Sequence, residues 1–137
     1  MKSVVVLGAS TNPDRYAFKA MERLQEHGYK AIPVNPAFDE VLGEKCYPSV
    51  SDAPLPIDTV TLYLGAARST PLIQDILDAK PRRIIFNPGA ENEELEKATS
   101  SAGHAGGGEF FVEAEQHTRY ETHSSLQFAH YYPSAPH

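Results

Sequence analysis

The chain has a single cysteine, Cys46, and no tryptophan in 137 residues. One cysteine permits no intrachain disulfide and no cysteine-clustered zinc site. It suits a reducing compartment, so a cytoplasmic location is expected. Positive charge is also scarce: 12 Lys and Arg face 18 Asp and Glu, for a formal net charge of -6. That balance argues against non-specific nucleic-acid binding, which runs on clustered cations. No apolar run approaches the ~20 residues of a membrane span, so no membrane role is expected. Met1-Lys2-Ser3 leads into a short strand-like run, without the long apolar segment and small-residue cleavage site of a signal peptide. The length suits one domain around one core. Hydrophobic residues at 41% and charged residues at 22% are ordinary for a soluble globular chain.

What is present is an alternation of short apolar runs with amphipathic stretches. Residues 4–7 are continuously apolar, the pattern of a parallel strand buried on both faces. Asn12-Pro13 reads as a helix N-cap followed by proline at the first helical position. Phe18, Met21 and Leu24 then recur every three residues, and His27-Gly28 ends the helix. Strands are expected over 29–34, 58–64 and 82–86. A helix is expected from Thr70-Pro71 to about Lys80, and another over 91–97. Residues 37–56 read as irregular, with one short turn near Ser51. The order strand–helix–strand–strand–helix–strand–helix predicts an α/β fold: a doubly wound parallel sheet between helices on both faces, three layers in all. Ligands on such sheets bind beyond the carboxyl ends of the strands. Beyond Ala98 the periodicity stops. Five of the six histidines lie there (His104, His117, His123, His130, His137), after a Gly106-Gly107-Gly108 run. The expected division is a domain over 1–112 and a poorly ordered tail over 113–137.

Glycine is sparse where a nucleotide site would want it. The turn after the first strand is Gly8-Ala9-Ser10-Thr11-Asn12, with one glycine rather than the three of a Gly-x-Gly-x-x-Gly dinucleotide fingerprint. Gly8 allows close backbone approach, Ser10 and Thr11 offer hydroxyls, and Arg15 adds a cation at a helix start, a combination that points to phosphate. Any strand–helix junction also favours small and capping residues, so the coincidence carries the argument. After the second strand stands Asn35-Pro36, where an NAD site usually has an acid and an NADP site favours an arginine. Asn87-Pro88-Gly89 repeats the Asn-Pro turn after a later strand. Catalytic equipment is thin. Cys46 has no histidine near it in sequence and reads as an inert thiol. Ser10 is not in a Gly-x-Ser-x-Gly elbow. The histidines after His117 are spaced by six or seven, not by the four of a helical zinc site. No metal site and no catalytic residue are assigned.

Five segments taken in order resemble the small single-domain CoA-binding proteins. They are Val-Leu-Gly-Ala-Ser at 6–10, Asn-Pro-Asp-Arg at 12–15, Pro-Val-Asn-Pro at 33–36, Asp-Thr-Val-Thr-Leu-Tyr at 58–63 and Ile-Phe-Asn-Pro-Gly-Ala-Glu-Asn at 85–92. That family is similar to the CoA-binding domain of the succinyl-CoA synthetase α subunit standing alone. The resemblance spans about residues 2–97 and implies a Rossmann-like, five-stranded parallel sheet that binds coenzyme A or acyl-CoA. It implies that the CoA phosphates meet Gly8, Ala9 and Ser10, with Thr11, Asn12 and Arg15 beside them. The adenine end would lie by Asn35 and Pro36. The pantetheine arm would pass Tyr63, Leu64, Asn87, Pro88 and Gly89. The synthetase's phosphohistidine domain has no counterpart here, so ligase activity does not carry over. The chain also departs from the family's closing Gly-Cys-Thr-Leu-Val-Met-Leu-like segment. Were the last strand missing, an unpaired edge would invite a homodimer or another protein partner. Two further readings stay open: an NAD(P)- or acyl-CoA-dependent enzyme, and an interaction module that has lost its ligand.

Overall fold

The computed structural model describes residues 2–102 and 111–114. Its elements run β1 (Ser3–Leu7), α1 (Tyr16–Glu26), β2 (Lys30–Val34), β3 (Glu40–Val41), β4 (Glu44–Lys45), a 3-10 turn at Val50–Asp52, β5 (Thr59–Leu62), α2 (Ala66–Ser69), a 3-10 turn at Thr70–Leu72, α3 (Ile73–Asp78), β6 (Arg83–Phe86), α4 (Glu93–Ala102) and β7 (Phe111–Ala114). Five strands form one parallel sheet in the order β2-β1-β5-β6-β7. As the alternation of elements predicts, this is a Rossmann-like doubly wound α/β sheet.

The continuous apolar run of β1 is explained by burial on both faces. Val5 and Leu7 join Ile32, Val60, Leu62, Ile84 and Phe86 on one side, against Ile76 of α3 and Leu95 of α4. Val4 and Val6 join Ala31 and Ile85 on the other, against Ala17, Met21 and Leu24 of α1. The strand period of two sends alternate residues to the two helical layers. The two-sided burial removes any polar requirement from the strand centre.

Several elements differ from the sequence expectation. The first helix starts at Tyr16 rather than at Pro13, with Arg15 as its N-cap in extended conformation. Asn12 instead folds the loop on itself: its Oδ1 accepts from Asp14 N at 2.9 Å and its carbonyl from Arg15 N at 3.0 Å. Asn12 is an Asx turn and not a helix cap, because its side chain satisfies the turn before helix begins. The second helix starts at Ala66, ahead of Thr70-Pro71. The chain then narrows to 3-10 at Thr70–Leu72, where Pro71 has no N–H to donate. The supposedly irregular stretch holds the β3–β4 hairpin. Its two-residue turn has positive φ at Leu42 (50) and Gly43 (81), the pattern of a type I′ turn. Leucine stands where Asn or Asp is usual, so the usual hairpin signal is absent. α4 begins at Glu93, capped by Asn92, whose Oδ1 accepts from Leu95 N at 3.1 Å.

The fifth strand is present. β7 pairs with β6 in register Arg83↔Phe111 to Phe86↔Ala114, so the β6 edge is covered. It includes Phe111 and Val112 of the apolar Phe110-Phe111-Val112 cluster in the sequence and runs across the expected 112/113 boundary. The tail histidines His104, His117, His123, His130 and His137 lie outside the described residues.

Leu62 is fully buried at the centre of the sheet. Leu62→Ala is expected to cost about 2–5 kcal/mol through lost transfer energy and the cavity left behind. Urea unfolding of the two proteins measures it; a loss under about 1 kcal/mol would show that the core collapses around the gap.

Candidate functional site

The chain leaves β1 and crosses through α1 to β2 on one flank. It then returns to β5 on the opposite flank of β1. This reversal opens a crevice at the carboxyl ends of β1 and β5, where open α/β sheets place their ligands.

Gly8 forms the floor at that point. Its φ is +96, and a Cβ there would stand 2.9 Å from Leu64 Cδ2 and 3.2 Å from the Tyr63 carbonyl carbon. Both conformation and space therefore require glycine. The N–H groups of Gly8 and Ala9 donate to the Val34 carbonyl at 3.0 and 3.3 Å, which continues the β1–β2 pairing into the turn. These two amides are thus already engaged. Ser10 Oγ accepts from Asn12 N at 3.0 Å and keeps its own proton to donate.

Asn35 ties the neighbouring loops together. Its Nδ2 donates to the Ala9 carbonyl at 2.8 Å, and its Oδ1 accepts from Ala37 N at 2.8 Å. Its own N–H reaches the Tyr47 carbonyl at 2.9 Å, joining the segment after the hairpin to the end of β2. Asn87 behaves similarly on the other flank. It is buried, with Nδ2 donating to Thr61 Oγ1 at 2.7 Å and to the Leu62 carbonyl at 2.8 Å, and its carbonyl accepts from Ala90 N.

Two adjoining basins result. The larger, about 580 Å³, gathers Gly8, Ala9, Ser10 and Arg15 with Tyr63, Pro88 and Gly89. The smaller, about 220 Å³, is bordered by Pro36, Pro48, Val50 and Leu72, with Ser49 and Asp75 as polar residues. Gly8, Asn35, Leu64 and Arg68 line both. Most of the residues singled out from sequence therefore meet in one crevice. Thr11 and Asn12 are exposed residues of the loop outside the lining, and Asn87 supports its turn from beneath.

Arg68, Asp75, Tyr16 and Phe38 belong to the lining but carry no assignment from sequence. For Arg68 the signal was there to be read: it follows Leu64-Gly65 at the carboxyl end of a strand, one turn into a helix. Asp75 had none, since its place depends on how α3 packs over the sheet.

Cys46 is buried and lies outside the lining of either basin, its Sγ 3.5 Å from the carbonyl oxygen of Asn35. Burial pushes its thiol pKa above the ordinary value, and the nearby Asp39 carboxylate adds to the rise. Among the described residues no group of three His, Cys, Asp or Glu is arranged to hold a metal, and no helix is long and apolar enough to cross a membrane.

A parallel sheet with a glycine-floored crevice at its switch point places the chain among Rossmann-like α/β domains. The family model described as a CoA binding domain matches residues 2–109, and the chain belongs to that family. It is 32% identical over 93 residues to the uncharacterized protein YneT of Bacillus subtilis, covering 68% of this chain and 69% of that one. A 63-residue stretch is 38% identical to an ADP-forming acetate–CoA ligase of Methanocaldococcus jannaschii, covering 46% of this chain but 9% of the ligase. Among solved structures, a hypothetical protein from Pyrococcus horikoshii superposes with TM-score 0.73 at 34% identity, covering 82% of this chain and 75% of that one.

Gly8→Ala is expected to cost about 1–3 kcal/mol from the positive φ alone, with further loss as Leu64 gives way. Thermal or urea unfolding measures the loss, and wild-type stability in the variant would contradict the geometry. For Cys46, the raised pKa means that its contribution to stability is full below the pKa of the unfolded thiol. It is lost as pH climbs through the raised folded value. Iodoacetamide should therefore label native protein far more slowly than urea-unfolded protein at pH 8; equal rates would show an accessible thiolate.

Proposed function

We propose that the chain binds coenzyme A or an acyl-CoA in this crevice and acts as a binding module without catalytic residues of its own. The observation that carries the reading is the convergence of four strand-end turns on a bare backbone floor at Gly8, with arginines at Arg15 and Arg68 for phosphate. Phosphate would meet Ser10, its loop and Arg15. The adenine end would lie against Pro36 in the smaller basin, and the pantetheine arm would run past Tyr63, Leu64, Pro88 and Gly89. Asn35 and Asn87 would hold the walls. Family membership supports CoA as the ligand. The buried Cys46, held protonated, is poorly suited to act as a nucleophile.

One observation favours a second reading. The acid missing after β2 has a counterpart in Asp75 of α3, which lines the same smaller basin as Pro36. A carboxylate there is able to accept from ribose hydroxyls, as in an NAD-dependent protein.

Thermal-shift titration with CoA, acetyl-CoA, NAD and NADP separates the two. A ligand at 100 times its Kd stabilises the folded state by about 2.7 kcal/mol. Stabilisation by CoA or acetyl-CoA alone is the expected result; a shift with NAD alone would transfer the crevice to the dinucleotide. Arg15→Ala should weaken CoA about tenfold or more, because a charge-assisted hydrogen bond is lost, and unchanged affinity would remove Arg15 from the phosphate site.

A further inference from the structure

We propose that Arg68 holds the diphosphate of the ligand at the neck between the two basins, with the nucleoside on one side of it and the acyl-carrying arm on the other. The inference rests on the CoA reading and assigns a residue that the motif pattern leaves out. Its starting point is the engagement of the Gly8 and Ala9 amides by the Val34 carbonyl. A turn whose first two N–H groups are occupied supplies less positive potential than a free phosphate loop. The charge of a diphosphate must then be met largely by side chains.

Arg68 is placed for this. It is exposed, it borders both basins, and its guanidinium makes no hydrogen bond or ion pair with any described residue, its backbone N–H alone donating to the Gly65 carbonyl at 2.9 Å. The other residues common to the basins, Gly8, Asn35 and Leu64, are uncharged. Arg68 is therefore the cation at the neck, and Arg15 borders only the larger basin. The planar guanidinium suits two oxygens of one diphosphate. The basins differ in a matching way. Pro36, Pro48, Val50 and Leu72 give the smaller one apolar walls for a flat base, with Ser49 and Asp75 to meet its polar edge or the ribose. The larger is an open trough suited to an extended chain.

The test is calorimetry of wild type, Arg68→Ala and Arg68→Lys with CoA and with dephospho-CoA, which keeps the diphosphate but lacks the 3′-phosphate. Wild-type binding of CoA tests the parent reading; its absence overturns that reading whatever the variants do. Given wild-type binding, Arg68→Ala should weaken both ligands by the same factor, about ten- to a hundredfold. Arg68→Lys should restore part of the loss. The ligand-free melting temperature should not move, because the Arg68 side chain has no partner among the described residues. Loss confined to CoA would place Arg68 on the 3′-phosphate, and unchanged affinity for both would remove it from the site. Either result overturns the inference while leaving CoA binding intact.

Discussion

The close approach of Gly8 to Leu64 governs how this domain is built. It joins the chain leaving β1 to the chain leaving β5, the two strands between which the winding reverses direction. No side chain fits between them: a Cβ on Gly8 would press into Leu64 at 2.9 Å. The backbone of the first turn therefore lies flat against the second, and the crevice has a peptide floor. The neighbouring contacts follow from it. The Gly8 and Ala9 amides bind Val34, Asn35 reaches back to Ala9, and Tyr47 attaches the segment after the hairpin to the β2 end. A larger residue at position 8 would push apart the walls that these bonds align.

The sheet and its helices were legible because their signals are periodic. The valines of β1 announce burial on two faces, and Met21 and Leu24 announce a helical stripe. The turns were legible because small residues, prolines and glycines cluster just beyond each strand. What escaped depends on tertiary placement or on atypical local chemistry. The β3–β4 hairpin turns through Leu42-Gly43, where leucine masks the usual Asn-Gly signal. The start of α1 was obscured because Asn12 satisfies an Asx turn with the side chain that would otherwise cap a helix. Asp75 reaches the smaller basin only because α3 packs against the distant 3-10 turn at Val50–Asp52. β7 follows a glycine run in the sequence that hides its strand character, yet its register with β6 is regular over four residues.

The single-glycine turn acquires a different meaning in the structure. A triple-glycine loop presents several free amides to a pyrophosphate. Here the first two amides extend the sheet, and under the proposed CoA reading charge recognition would pass to arginines on the rim. The turn is thus more a continuation of the β1–β2 pairing than an open anion nest. On that reading the geometry of the crevice, set by backbone, would be separate from its affinity for anions, set by side chains. Substitutions at Gly8 and at the rim would then act on different quantities, one on stability and the other on binding.

The bond from Asn35 to the Ala9 carbonyl carries a thermodynamic corollary. With the floor and both flanking loops fastened to each other before any ligand arrives, their backbone entropy is surrendered during folding and not during recognition. The crevice is preorganised. What remains to be ordered on binding is the rotamer freedom of the long rim side chains, at about 0.5–1.5 kcal/mol for each one immobilised. Association would then cost little beyond the ligand's own loss of freedom, and the walls would keep one shape whether the crevice is empty or filled.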